Sequence, residues 1–220
     1  MKIFVDSANM EEAAYWIDSG LAEGITTNPT LLRKAGCTDY AKAVREIAER
    51  FPTTEVSIQL VSRDQDNMLA EGRDFMAEIP NAVIKVPVIA PSGAFHFTAV
   101  SELTSAGIPV NATACLTVGQ VVLSAKSGAR YASLFWGRIA DEGGDCTATV
   151  SGARKILTGA GSTTKLIAGS IRGAADITAA FLAGADVVTA SPSILRRWAD
   201  HHYSRATVAQ FYSDLPEALQ

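Results

Sequence analysis

The sequence predicts an α/β protein built as a single (β/α)8 (TIM) barrel with an extra C-terminal helix. Short apolar runs alternate with longer amphipathic segments along the whole chain, a pattern typical of buried parallel strands joined by helices. Eight such runs fit into 220 residues, a length at which α/β barrels commonly form one domain. No G-x-G-x-x-G motif follows a strand, which argues against an open, doubly wound nucleotide-binding sheet.

The predicted elements follow each other without a linker or a repeat, so residues 1–220 are expected to form one domain. The strands lie near residues 2–6, 23–26, 55–60, 82–88, 108–114, 130–135, 164–169 and 186–190. The helices lie near residues 9–19, 38–50, 64–78, 93–106, 117–127, 145–159 and 173–183. Four helix ends carry a glycine, which tolerates the left-handed backbone there: Gly20, Gly107, Gly128 and Gly184. One or two further helices follow the eighth strand, with a helical extension over about 200–220.

Composition excludes several classes of protein. The chain is 48% hydrophobic and 19% charged, which is not the balance of a disordered protein. A net charge of −4 gives no electrostatic attraction for nucleic acid. The three cysteines and three histidines lack the spacing of a disulfide framework or a zinc site. Because there is neither a signal segment nor an apolar run of the ~20 residues that cross a bilayer, we expect a cytoplasmic protein without membrane, nucleic-acid or metal partners.

Lys85 differs from the other six lysines because it lies at the centre of a predicted apolar strand, 82–88. Side chains alternate between the faces of a strand, so Lys85 shares a face with Val83 and Pro87, which we expect to be the barrel interior. Burial lowers the pKa of a lysine and supplies the free amine that Schiff-base catalysis requires. A structural pairing of Lys85 with an interior carboxylate is the alternative.

Polar side chains recur on the other strands, near the carboxyl ends where barrel enzymes build their active sites. These residues are Asp6, Asn28, Gln59, Asn111, Thr113 and Ser133. A single one of them would be an ordinary hydrogen-bonded residue. Their recurrence on most strands predicts a functional site at this end of the barrel.

Two arginines lie where a phosphate group is often bound in barrels, in loops that follow the late strands and at a helix N-terminus. Ser170 and Arg172 follow the seventh predicted strand, and Arg138 follows the sixth. Arginine holds phosphate through charge-assisted hydrogen bonds. For each arginine, a surface role at the end of a neighbouring helix is the alternative. Phe135, at a strand end, fits either the core or the wall of a ligand site.

Three motifs, in this order along the chain, carry a resemblance to a known family: FVDSA at residues 4–8, GITTNPT at 24–30 and IKVP at 84–87. From residue 1 to about 215 the chain resembles the small, single-domain transaldolases and fructose-6-phosphate aldolases. The resemblance implies a Schiff base on Lys85 and transfer of a dihydroxyacetone unit between sugar phosphates, as in the pentose phosphate pathway. It also implies no metal or organic cofactor and a homo-oligomer, a decamer or pentamer.

The two branches of this family carry different residues at several positions, and this sequence matches one branch at some of these positions and the other branch elsewhere. Transaldolase-like positions are Asn111, Thr113, Ser133, Phe135, Ser170 and Arg172. Fructose-6-phosphate aldolases typically carry tyrosine at the position of Phe135, but Gln59 is their residue where transaldolases carry glutamate. We therefore expect a transaldolase, with reversible aldol cleavage that releases free dihydroxyacetone as the alternative.

The resemblance also implies roles for individual residues. Lys85 forms the imine, Asp6 takes the proton from the sugar C4 hydroxyl, and Gln59 and Thr113 hold the water of Schiff-base formation. The expected substrate-binding residues are Thr27, Asn28, Asn111, Ser133, Phe135, Arg138, Ser170 and Arg172. Two other functions stay open: a phosphosugar isomerase that forms no Schiff base, and a non-catalytic barrel that binds sugar phosphates.

Overall fold

Eight short strands pair in parallel and close on each other in sequential order, in a computed structural model that describes residues 1–216. The strands are β1 (Lys2–Asp6), β2 (Gly24–Thr26), β3 (Glu55–Gln59), β4 (Ala82–Pro87), β5 (Val110–Cys115), β6 (Tyr131–Phe135), β7 (Lys165–Gly169) and β8 (Val187–Ala190). The predicted (β/α)8 barrel is therefore confirmed. The end of the predicted C-terminal extension, residues 217–220, lies outside the described residues.

Helices surround the barrel and follow the strands in turn. They are α1 (Met10–Asp18), α2 (Pro29–Lys34), α3 (Tyr40–Arg50), α4 (Gln65–Glu78), α5 (Phe97–Ser105), α6 (Val118–Lys126), α7 (Trp136–Asp141), α8 (Cys146–Gly159), α9 (Ala174–Leu182), α10 (Pro192–Ala199) and α11 (His202–Ser213). The four glycines predicted to end helices all have positive φ, between +71° at Gly20 and +99° at Gly184. In the described part of the chain, no helix combines the length and apolarity needed to span a membrane.

Two departures from the predicted elements have local causes. The sequence pattern does not predict α2 and α7, because six residues are too few to show a helical period. α5 begins at Phe97 rather than near residue 93, because residues 89–95 turn back on themselves. Ala90 N–H donates to the Ala94 carbonyl across a left-handed Gly93, and Ile89 bridges Phe95 in antiparallel fashion.

The alternation of side chains along the strands places apolar residues in one half of the barrel and polar residues in the other. The apolar cluster inside the barrel is formed by Phe4, Val83, Tyr131, Ile167 and Val187. Two residues further along the same strands, on the same face, lie Asp6, Lys85, Ser133, Gly169 and Thr189. A second, larger core fills the space between the strands and the helices. The barrel is thus closed at its amino end and polar at its carboxyl end.

Candidate active site

A cavity of about 430 Å3 opens at the carboxyl ends of the strands. Ten of the twelve predicted site residues line it, namely Asp6, Asn28, Gln59, Lys85, Asn111, Thr113, Ser133, Phe135, Arg138 and Ser170. They come from five strands, β1, β3, β4, β5 and β6, and from segments that follow β2, β6 and β7, so only closure of the barrel brings them together. Thr27 and Arg172 are predicted site residues that do not line the cavity.

Lys85 reaches the floor of the cavity from the middle of β4 and is only 5% exposed. Its Nζ donates a hydrogen bond to the Thr27 carbonyl at 2.7 Å. Within residues 1–216, no carboxylate lies within ion-pair distance of this amine. Burial lowers the pKa of Lys85, and the negative charge of Asp6 opposes this shift. The geometry therefore favours a reactive amine over a lysine held in a structural ion pair.

Asp6, at the end of β1, is the carboxyl group that faces the same space. Thr26 Oγ1 donates to Asp6 Oδ1 at 2.7 Å. Burial raises the pKa of Asp6, while Lys85 and the hydrogen bond from Thr26 lower it. Burial thus opposes the charged form of each group, while Lys85 and the hydrogen bond from Thr26 favour the ionised form of Asp6 that can act as a base.

Gln59 and Thr113 offer hydrogen-bonding groups to the cavity. The Thr113 hydroxyl is buried without a partner among the described residues, a cost that a water or a ligand in the cavity relieves. The backbone of Gln59 is fixed by the Tyr40 hydroxyl, which donates to its carbonyl at 2.6 Å. The Gln59 side chain lines the cavity, and its amide can donate and accept but cannot relay a proton as a carboxylate can.

A short hydrogen-bond chain orients Asn111. Ser133 Oγ donates to Asn111 Oδ1 at 2.7 Å, and Asn111 Nδ2 donates to Ser57 Oγ at 3.4 Å. Asn28 is constrained differently, because its Oδ1 accepts the Leu31 N–H at the start of α2. Each amide therefore uses its oxygen within the protein and keeps at least one N–H for a ligand.

The two predicted residues outside the cavity have other partners. Thr27 is fully buried, with its hydroxyl donating to the Ser57 carbonyl, and it contributes to the site through its own carbonyl, which accepts from Lys85. Arg172 Nη2 lies 2.5 Å from Asp141 Oδ2, while Arg138 Nη1 approaches the same oxygen at 3.7 Å. Asp141 therefore bridges both arginines at the rim of the cavity.

The N-terminus of α9 differs from the expected phosphate site. Asp176 Oδ2 accepts the backbone N–H groups of Arg172 and Gly173 at 3.2 and 2.8 Å. A carboxylate of the helix itself therefore caps these two donors. What remains for a phosphate at this rim is the side chains of Arg138 and Ser170, both of which line the cavity.

Thr26 and Thr189 line the cavity but are not among the residues predicted for the site. Both follow an inward-facing residue by two positions, Gly24 on β2 and Val187 on β8. Strand alternation is thus the signal that identifies them. A single threonine in an apolar strand is common, so this signal is weak without the fold.

Two non-glycine residues near the cavity have left-handed backbones, Ala114 with φ 62° and Ser170 with φ 57°. Ala114 follows Thr113 where the pairing of β5 with β6 is irregular. Ser170 follows the end of β7 and lines the cavity. Such residues cost about 1–3 kcal/mol and persist where surrounding contacts enforce them, often at functional sites.

The Ser170 loop approaches the start of α7 so closely that Gly137 has no room for a side chain. A Cβ on Gly137 would lie 2.4 Å from the Ser170 carbonyl oxygen and 2.6 Å from Arg172 Nε. The Gly137 N–H also donates to that carbonyl at 3.1 Å. The absence of a side chain at Gly137, together with its N–H hydrogen bond, therefore holds the loop that carries Ser170 in place.

Gly137→Ala is expected to destabilise the protein by about 1–3 kcal/mol, because the clash involves backbone that cannot move freely. Gly152→Ala is the matched control, since its Cβ would meet only Val118 Cγ2 at 3.7 Å inside α8, where alanine is favoured. Urea denaturation of both variants measures the difference. Equal stability of the two would contradict this packing.

Comparisons with known proteins agree on a family. Residues 3–220 match the family model described as transaldolase/fructose-6-phosphate aldolase. A protein of Dehalococcoides mccartyi named "probable transaldolase" is 34% identical over 214 residues, 97% of each chain. One of Dinoroseobacter shibae with the same name is 36% identical over 214 residues, which cover 97% of this chain and 96% of that protein.

Among solved structures, the fold is similar to that in a crystal structure of 3-hexulose-6-phosphate synthase. The TM-score is 0.60 at 16% sequence identity, with 87% of this chain and 90% of that chain covered. At this identity the likeness concerns the barrel fold alone.

Proposed function

The chain belongs to the transaldolase/fructose-6-phosphate aldolase family and is a transaldolase-like enzyme, and we propose that it works through a Schiff base on Lys85. In this proposal a dihydroxyacetone unit passes from a ketose phosphate to an aldose phosphate. The observation that carries the proposal is a buried lysine at the floor of a polar cavity, with no ion pair and a single facing carboxyl group among residues 1–216. No cofactor takes part in the proposed chemistry.

Schiff-base formation begins with attack of the neutral Lys85 amine on the ketone carbon. The carbinolamine hydroxyl takes up a proton from solvent through the water in the cavity and leaves as water, and the nitrogen becomes a protonated imine. Gln59 and the unpartnered Thr113 hydroxyl hold the water that leaves. The lowered pKa of Lys85 makes the neutral amine available below the pH at which an exposed lysine loses its proton.

Carbon–carbon cleavage is the next step, and it depends on Asp6 as the general base. Asp6 removes the proton of the C4 hydroxyl, the C3–C4 bond breaks, and its electron pair passes into the imine to give an enamine on Lys85. The aldose phosphate departs, and Asp6 holds the proton. An incoming aldose phosphate reverses these steps and carries the three-carbon unit away.

The rim of the cavity holds the rest of the substrate. Asn28 and Asn111 donate their free N–H groups to hydroxyls of the three-carbon unit. Arg138 and Ser170 hold the phosphate, with Arg172 beside them through the shared carboxylate of Asp141. In this account Ser133 and Thr27 act by orienting Asn111 and Lys85.

A fructose-6-phosphate aldolase is the second candidate, and Gln59 is the residue that favours it. Incubation with fructose 6-phosphate alone separates the two. A transaldolase releases about one equivalent of glyceraldehyde 3-phosphate per subunit and stops until an aldose phosphate is added, because the enamine accumulates. Continuous release without an acceptor would establish the aldolase.

Phe135→Tyr is expected to raise the release of free dihydroxyacetone at least about tenfold, because a hydroxyl at the cavity wall can supply the proton that ends the reaction. Phe135→Leu is the control, since it changes the ring without adding a hydroxyl. Chromatographic measurement of the product ratio tests the prediction. An unchanged ratio in the tyrosine variant would contradict the assignment to the transaldolase branch.

We also propose a cytoplasmic enzyme of the pentose phosphate pathway that works as a homo-oligomer, a decamer or pentamer. The exposure of α11 supports an oligomer, because none of the residues of this helix is buried against the rest of the protein. Its aromatic residues Tyr203, Phe211 and Tyr212 are 69%, 63% and 67% exposed. A second copy of the chain would cover this apolar surface.

A further inference from the structure

Three side chains on neighbouring strands form a continuous hydrogen-bond chain beside the proposed reaction centre. Thr189 on β8 and Thr26 on β2 flank Asp6 on β1. The Thr26 and Thr189 hydroxyl oxygens are 2.5 Å apart, and Thr26 Oγ1 is 2.7 Å from Asp6 Oδ1. Both threonines are buried, at 2% and 6% exposure, and both line the cavity.

When Asp6 is ionised, the state in which it acts as a base, the direction of these hydrogen bonds follows from counting protons. An ionised carboxylate can only accept, so the single proton of the Thr26 hydroxyl points to Asp6. The contact between the two threonines then needs the proton of Thr189. Thr189 therefore donates to Thr26, which donates to Asp6, and Asp6 Oδ2 carries no hydrogen bond within residues 1–216.

We propose that Thr189 is a positioning residue for the base of the reaction: it holds Thr26 in the donating orientation, so that Asp6 presents Oδ2 to the substrate as an ionised carboxylate. The catalytic part of this inference rests on the role of Asp6 in the proposed function. Thr189 touches Asp6 only through Thr26, and a hydroxyl that is itself a hydrogen-bond acceptor becomes a stronger donor to the next group in the chain.

The charged groups around Asp6 are few, so the hydrogen bonds from the two uncharged threonines are important for its ionisation. Lys85 on β4 is the charged side chain that acts on it. The inward residues beside it on β2 and β8 are the two uncharged threonines. The other titratable pair inside the barrel, Tyr131 and Glu55, bond to each other near the amino ends of their strands. The hydrogen bond from Thr26, supported by Thr189, is therefore the main interaction with an uncharged group that stabilises the Asp6 carboxylate against the effect of burial.

A carbon-13 titration of the Asp6 carboxyl group tests the proposal without any need for turnover. Asp6→Asn assigns the signal in protein labelled at aspartate. Thr189→Val, which keeps the shape and removes the hydroxyl, is expected to move the titration to higher pH. Thr189→Ser keeps the hydroxyl and is expected to titrate as the unaltered protein does. Identical titrations of the valine variant and the unaltered protein would overturn the proposal.

Kinetics then test the catalytic consequence. Thr189→Val is expected to lower kcat about three- to tenfold, the effect of one lost hydrogen bond, with KM for the sugar phosphate unchanged and serine restoring kcat. A merely structural role would change KM or stability and would leave the pH profile in place. If the unaltered protein forms no Schiff base, the proposed function fails, while the titration still decides the role of Thr189.

Discussion

Lys85→Met is expected to reduce turnover by on the order of 10⁴-fold or more, since no other lysine of the described residues lines the cavity to form the imine. Covalent trapping of substrate should vanish with it. The loss should not come from unfolding, because Lys85 has no ion pair within residues 1–216 and methionine keeps a similar length while removing the cost of burying an amine. Thermal denaturation measured beside the rate distinguishes the two causes.

Two control variants test whether the loss of turnover comes from the loss of the imine. Lys85→Arg keeps a positive charge at the cavity floor and cannot form an imine, so it should be as inactive as the methionine variant. Lys165→Met removes an exposed lysine at the start of β7 and should leave the rate unchanged. Retained turnover in Lys85→Met would mean that no Schiff base is needed, which is the behaviour of a phosphosugar isomerase on the same barrel.

Asp6→Asn is expected to lower the rate of cleavage by about 10²–10⁴-fold, the usual effect of losing a general base. Schiff-base formation should persist, because it uses Lys85 and the water held by Gln59 and Thr113. The variant should therefore bind the ketose phosphate covalently but release little aldose phosphate. Asp66→Asn, at an exposed position in the first turn of α4, is the control and should behave as the unaltered protein.

For Asp6→Asn we also predict the direction in which the pH dependence of Schiff-base formation shifts. The charge of Asp6 raises the pKa of Lys85 against the larger effect of burial, which lowers it. Without that charge the pKa of Lys85 falls further, so the neutral amine appears at lower pH. The rate of Schiff-base formation in Asp6→Asn should therefore begin to rise at a lower pH than in the unaltered protein. A shift to higher pH would contradict the arrangement of these two groups.

The fold was predictable because its signals are local. A strand buried on both faces gives an apolar run, and several helix ends that precede a strand carry a left-handed glycine, as at Gly20 and Gly184. The short α2 was not predictable by period, although Asn28 caps it through its side chain. Six residues with one capping residue are too weak a signal without tertiary context.

The site was predictable where strand alternation decides which way a side chain points, as for Lys85 and Asp6. The sequence could not predict which of two nearby groups a side chain would choose as its partner. Arg172 lies against Asp141, thirty-one residues away along the chain, and Asp176 caps the helix end expected to bind phosphate. Such choices depend on distances that only the closed barrel sets. For the same reason, the role proposed for Thr189 needs the measured contact with Thr26.

A non-catalytic barrel that binds sugar phosphates would behave differently from every scheme above. It would bind fructose 6-phosphate in calorimetry and show no release of glyceraldehyde 3-phosphate at any protein concentration. The lowered pKa of Lys85 and the carboxyl group across the cavity argue for chemistry rather than binding alone.

Reduction with borohydride in the presence of fructose 6-phosphate, followed by mass spectrometry of the peptides, tests the Schiff base on Lys85 most directly. We expect a reduced three-carbon unit attached to Lys85 only when the ketose phosphate is present, and a lower yield after prior addition of an aldose phosphate acceptor. The absence of any ketose-dependent adduct, or an adduct on a lysine other than Lys85, would contradict the Schiff base on Lys85.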